Sequence, residues 1–173
     1  MDTPRCARMH AFIILSVLAG PLPAMAVDTR AAIRVDKEEY SMNHHATGPF
    51  DVKIIPQKAD NPQAEGAGTG RMSIDKRFHG ELEATSQGEM ISFRTAEPTS
   101  AGYVAIERVT GSLHGRKGSF VLQHHCTMAR GVPAQNIVVV PDSGTDELLG
   151  LAGSMTIVIA EGGAHSYVFD YTL

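Results

Sequence analysis

The sequence predicts a single all-β domain, a small antiparallel β-barrel of about eight strands, closed or nearly closed. Three observations predict it. Short runs of alternating apolar and polar residues are separated by turn residues at regular intervals. The 173 residues include 17 Gly and 9 Pro, a composition that favours strands joined by tight turns. No stretch carries the 3.6-residue apolar period of a long amphipathic helix.

The elements follow in order. Phe50 to Ile54 alternates and is expected to end at Pro56. Residues 57–70 hold Gly, Pro, Asn and Asp and read as a loop. Gly66, Gly68 and Gly70 superficially suggest a phosphate cradle, but the spacing is wrong and no helix pattern follows. Met72, Ile74 and Phe78 share one parity of the next strand. Glu81 to Phe93 continues with Leu82, Ala84, Met90 and Ile91, with a bulge or hairpin expected near Gly88. Tyr103 to His114 is rich in β-branched residues. Gly115 to Gly118 reads as a hairpin turn, and Ser119 to Met128 returns from it. Asn136 to Val140 is short and stops at Pro141. One helical turn is expected at Thr145 to Leu149, capped by Ser143 or Thr145. Leu151 to Ala160 and Ser166 to Leu173 form a last pair around Gly162 and Gly163.

Three segments are expected: a signal peptide at 1–26, a polar spacer at 27–44 and one barrel domain at 45–173. Arg5 and Arg8 precede ten apolar residues, Ala11 to Gly20, and Ala24-Met25-Ala26 is a small-x-small cleavage site. That core is half the roughly 20 residues a membrane span needs, so no stable membrane anchor is expected. The expected location is periplasmic or secreted, or cytoplasmic if translation starts at Met42. Cleavage would remove Asp2, Arg5 and Arg8, a charge of +1, taking the chain from −4 to −5. It would also remove Cys6, leaving Cys126 with no disulfide partner. Mild acidity, with a pI near 6.0, argues against a nucleic-acid partner.

Several stretches together resemble a bacterial domain-of-unknown-function family, number 3224. They are Phe78-x-Gly80-Glu81-Leu82-Glu83, Glu107 to Gly111, and Gly115-Arg116-x-Gly118 running on to His124. Pro141-x-Ser143-Gly144-Thr145, Glu147-Leu148-x-Gly150-Leu151-x-Gly153 and the Asp170-Tyr171 ending complete the set. The resemblance covers roughly residues 45–173. It implies a barrel similar to that of allene oxide cyclase, of calycin-like type. It implies no activity.

The hairpin carries the candidate chemistry. A turn at Gly115–Gly118 sets Arg108 opposite His124, Glu107 opposite His125 and Val109 opposite Gln123. One face of that ribbon must line the lumen, where a charge has to be paired. Glu107, Arg108, Gln123 and His124 are therefore candidate ligand-binding residues, with Glu83 and Glu89 available from neighbouring strands. A carboxylate beside a His in an apolar cup suits acid–base work as well as ligand orientation. His124 and Cys126 share a strand face, but two ligands do not make a zinc site, even with His44 and His45 near the domain start. No metal and no cofactor are expected.

Three functions remain. The first is a lumenal binder of a small, mostly apolar ligand. The second is a structural or oligomerising barrel plugged by Met72, Phe120, Met155 and Phe169. The third is a cofactor-free isomerase or cyclase. A homo-oligomer is compatible with all three.

Overall fold

The computed structural model describes residues 43–61, 63 and 66–173. The expected signal segment, and the spacer up to residue 42, lie outside the described residues. His44 was placed in the spacer, but it already opens the first strand and pairs with Tyr171.

Eight strands form one closed antiparallel barrel in sequence order. They are β1 (His44–Gln57), β2 (Thr69–Phe78), β3 (Leu82–Arg94), β4 (Ala101–Leu113), β5 (Arg116–Ala129), β6 (Val132–Val139), β7 (Ala152–Ile159) and β8 (His165–Thr172). β8 returns to β1 through seven residue pairs, from His44↔Tyr171 to Phe50↔His165, so the sheet has no free edge. A 3-10 turn at Asp146–Leu148 stands where one helical turn was expected. Thr145 occupies its cap position, yet its hydroxyl accepts from the Ser119 N–H instead of capping.

Each strand buries alternate residues. On β3 these are Leu82, Ala84 and Ser86, and on β5 Phe120, Leu122, His124 and Cys126. One end of the barrel is packed solid. Phe78, Leu82, Leu113, Phe120, Tyr167 and Phe169 are each at most 1% exposed and fill it. Leu148 and Leu151 close the floor from the β6–β7 connection. The Tyr167 hydroxyl accepts from the Leu82 N–H at 2.8 Å and donates to the His79 carbonyl at 3.0 Å, tying β8 to the β2–β3 turn.

Three expectations change. Pro56 does not end β1, which runs on to Gln57. No bulge or hairpin interrupts β3: Gly88 pairs in regular register with Glu107 and with Ile74. A Cβ on Gly88 would lie 2.4 Å from the Ile106 carbonyl oxygen and 2.6 Å from the Glu107 Cβ, so glycine gives this strand pair its close approach. The β4–β5 turn is also tighter than expected. Leu113 pairs with Arg116, leaving a two-residue loop of His114 (φ 48°) and Gly115 (φ 84°). Two left-handed residues in succession are a type I′ hairpin, whose twist matches that of the strands.

The seam between β6 and β7 is weakest, with a single register pair, Val138↔Ser154. A side chain takes over the ladder there. The Gln135 amide donates to the Ile157 carbonyl at 2.9 Å and accepts from the Ile157 N–H at 3.1 Å.

Gly88→Ala is expected to lower stability by about 1–3 kcal/mol in urea unfolding, because an overpacked interior must shift backbone. Gly102→Ala, whose added Cβ would meet only ordinary contacts at 3.8 and 3.9 Å, should stay within about 0.5 kcal/mol of the parent.

Candidate functional site

The tight hairpin sets which side chains enter the lumen. Glu107 faces Leu122, Arg108 faces Val121, and His124 faces Ala105. The expected pairing, with Arg108 opposite His124 and Glu107 opposite His125, is three residues out of register. An odd slip moves residues to the other face of one strand relative to its neighbour. Glu107 and His124, expected on opposite faces, therefore meet inside the barrel as a diagonal pair.

The structure places the other sequence candidates outside. Arg108 lies on the outer wall and donates to the Ser119 hydroxyl at 2.8 Å. Gln123 is exposed on the same side. Glu83 is exposed and accepts from the Gly80 N–H at 2.8 Å. Glu89 holds Arg71 through two bonds, at 2.6 and 2.8 Å, also outside. Arg108 and Glu83 line a wide, open outer groove of about 720 Å³ with Thr110, Ser112, Lys117 and Thr145. Neither Glu107 nor His124 lines that groove.

Inside, Glu107 is fully buried and takes three hydrogen bonds from three strands. Lys76 on β2 donates to Oε1 at 2.6 Å. His124 Nε2 on β5 lies 2.8 Å from the same oxygen. Ser86 on β3 donates to Oε2 at 2.7 Å. The Lys76 ammonium also sits over the rings of Phe50 and Phe78, at 5.5 and 5.7 Å. Burial alone would push the Glu107 carboxyl up. The His124 bond and the Lys76 charge outweigh burial and hold it down to about 2. Glu107 is thus an ionised acceptor, so the His124 Nε2 that faces it carries the donated proton. His124 Nδ1 has no partner among the described residues. No buried side-chain nitrogen or oxygen among the described residues lacks a partner, so Nδ1 opens onto the space above.

That space is an apolar cup in the unplugged half of the barrel. Its inner part, about 240 Å³, lies between Phe50, Val52, Ile74, Met90 and Ile157, with Lys76 and His124 at the base. It continues into an outer part of about 440 Å³ that includes Met72, Phe93, Met128 and Pro133. Ile54, Met90, Tyr103, Ile157 and Ile159 line both parts. Met72, expected to plug the lumen, is thus wall of the open half. Phe120, Met155 and Phe169 are buried in the core, as that expectation had them. Tyr103 stands beside His124, with ring centroids 6.5 Å apart. Burial, then Cys126, then the Glu107 charge push its hydroxyl up to about 12, so it stays protonated. Cys126 is a buried free thiol facing Tyr103 across the β4–β5 pair. No group of three or more metal-ligating side chains occurs among the described residues.

Sequence reasoning missed Lys76, Ser86 and Tyr103. Lys76 had a visible signal: it sits on the inward parity of β2, between Ile74 and Phe78. A cation on an apolar parity needs an anion opposite. Ser86 and Tyr103 had none, because small hydroxyls and aromatics suit either face.

Comparison with known proteins adds kinship without chemistry. Residues 46–171 match the family described as "Protein of unknown function (DUF3224)". A crystal structure of a protein with unknown function from the DUF3224 family of Shewanella oneidensis MR-1 is 51% identical, with a TM-score of 0.69. The match covers 75% of this chain and 96% of that one. No curated protein matches the chain.

Removing one member of the buried cluster strands the others. Glu107→Gln is expected to cost about 3–5 kcal/mol in urea unfolding near pH 7, and Lys76→Met/Glu107→Leu much less than the two single losses together. The folded-state value for Glu107, about 2, lies below its ordinary 4.5. Its share of stability is therefore complete above about pH 4.5 and lost as pH falls towards 2. Acid unfolding curves over that window should be shallower for Glu107→Gln than for the parent.

Proposed function

The chain belongs to the DUF3224 family of proteins of unknown function, and on that premise we propose that it is a binding protein whose half-open barrel holds a small, mostly apolar ligand. One observation carries this reading. The mostly apolar cup stands on a polar base whose members are hydrogen-bonded to one another, so a guest meets mainly hydrocarbon. Sites for small molecules have this composition: mostly apolar lining with a few placed polar groups. The inner cup, about 240 Å³, is smaller than the usual range of roughly 300–1,000 Å³, and the outer part brings the space within it. In the proposal the chain works after export, which the three-part N-terminal segment supports.

A second reading, cofactor-free isomerisation, is favoured by a single feature. His124 is oriented by a carboxylate on one nitrogen and is open on the other, the arrangement of a general base. The plugged-barrel reading is supported only by the packed half.

Native mass spectrometry of the protein taken from its own exported fraction is the test. A reproducible extra mass, released on denaturation, is expected. A bare mass, together with no fluorescence rise for N-phenyl-1-naphthylamine, would remove the binding reading. Ile157→Trp, which fills the cup, is expected to abolish that fluorescence rise while leaving the far-ultraviolet spectrum of the barrel intact.

A further inference from the structure

The binding reading leaves the ligand's polar end open, and the base of the cup constrains it. Lys76 and Glu107 cancel each other's charge. When His124 Nδ1 holds no proton, the base carries no net charge. A guest that brings an unbalanced charge into this space meets a cost of several kcal/mol. The polar groups that meet it in the inner cup are few: His124 Nδ1 and the Tyr103 hydroxyl, which also bonds Cys126, with the half-buried His165 ring further out, packed 5.2 Å from Phe50; Ser92, Arg94, Thr127 and Gln135 line only the outer part. Glu107 accepts the Nε2–H, so an unprotonated Nδ1 offers a lone pair that takes a proton from its partner. An ammonium head would leave +1 in the cup. A carboxylate without a proton would leave −1. A carboxylic acid that passes its proton to Nδ1 leaves neither: the charges then alternate from Lys76 to Glu107 to His124 to the ligand.

We propose that the lumen takes an amphiphilic carboxylic acid, carboxyl group inward on His124 Nδ1 and hydrocarbon outward along Ile54, Ile157 and Ile159, and that each carboxylate enters with one proton. This inference rests on the lumenal-binding reading. In the bound state the acid's O–H proton resides on Nδ1 and the carboxylate oxygen accepts its hydrogen bond. From free carboxylate in water the proton comes from solvent. The charge-assisted bond so formed is stronger than the neutral one an alcohol would make.

The groups facing His124 assign the proton. Glu107 and Lys76 are already ionised against each other, and Tyr103 keeps its proton through the neutral range. Cys126 lies on the same strand face, and its thiol donates towards the Thr127 carbonyl at 3.8 Å. His165 is the other imidazole lining the cup and is the control.

Titration calorimetry of the full chain with decanoate, decanol and decylamine, from pH 6 to 9 in buffers of different ionisation enthalpy, tests the proposal. Decanoate should bind about 10- to 100-fold more tightly than decylamine at pH 7. At alkaline pH each decanoate should take up one proton, and its affinity should fall about tenfold per pH unit. Decanol should bind without proton uptake. His165→Gln should keep the decanoate slope. His124→Phe should lose it while still binding decanol. The proton count on the unsubstituted chain decides the matter even if His124→Phe does not fold. Decanoate bound without proton uptake at alkaline pH, or no better than decylamine, overturns the proposal and leaves lumenal binding standing if decanol binds. Failure of all three probes overturns both.

Discussion

Everything in this barrel is arranged around one buried carboxylate. Glu107 has no contact with solvent, and an ionised group in that position is tolerable only if its oxygens are filled. They are filled from β2, β3 and β5 at once, by Lys76, Ser86 and His124. The same three bonds specify the relative heights of β2, β3, β4 and β5. A slip of any one strand would leave an unpaired charge in an apolar interior, which is costlier than losing an apolar contact. Gly88 belongs to this constraint, since only a residue without a side chain lets β3 lie directly against Glu107.

The cluster also divides the barrel. On one side aromatic and leucine side chains interdigitate, with Phe78 edge-on to Tyr167 and Phe120 stacked on Phe169. On the other side the walls stay apolar, but nothing crosses the axis. The ion cluster suits that boundary because it presents the cup with few unsatisfied atoms. On the proposed reading, the free nitrogen of His124 would be the main point of selection in the cup. Binding energy would come from the walls, and discrimination from that one atom.

Much of the fold was legible in the sequence. Alternation on β2, β4, β5 and β8 announced strands, and turn residues separated them. Tyr167, Phe169 and Tyr171, three apart-by-two aromatics, had to share a face and do so in the core. The exceptions have local causes. Pro56 lies in a strand because β1 continues past the point where it needs every N–H. Half of the site was legible too: Glu107 and His124 stood out as ionisable residues on strands rich in apolar side chains. Lys76 carried a signal of its own, a cation on an apolar parity, but its pairing with Glu107 did not show, because the two lie 31 residues apart along the chain, and Ser86 carried none.

The sequence by itself determined the strand content, the sequential antiparallel order and the expectation of lumenal charge, because these follow from periodicity and from turn chemistry read locally; the closing of β8 onto β1 is non-local. Only the tertiary structure decided which charge is inside. That choice hangs on where the hairpin turns. His114 in a left-handed conformation, which residue type alone does not announce, centres the turn on His114 and Gly115. The resulting register sends Arg108 and Gln123 outward, brings Glu107 to His124, and lets Lys76 reach them across the barrel. Contacts between strands distant in sequence are settled by register, and register is settled by a single turn together with the cost of burying a charge alone.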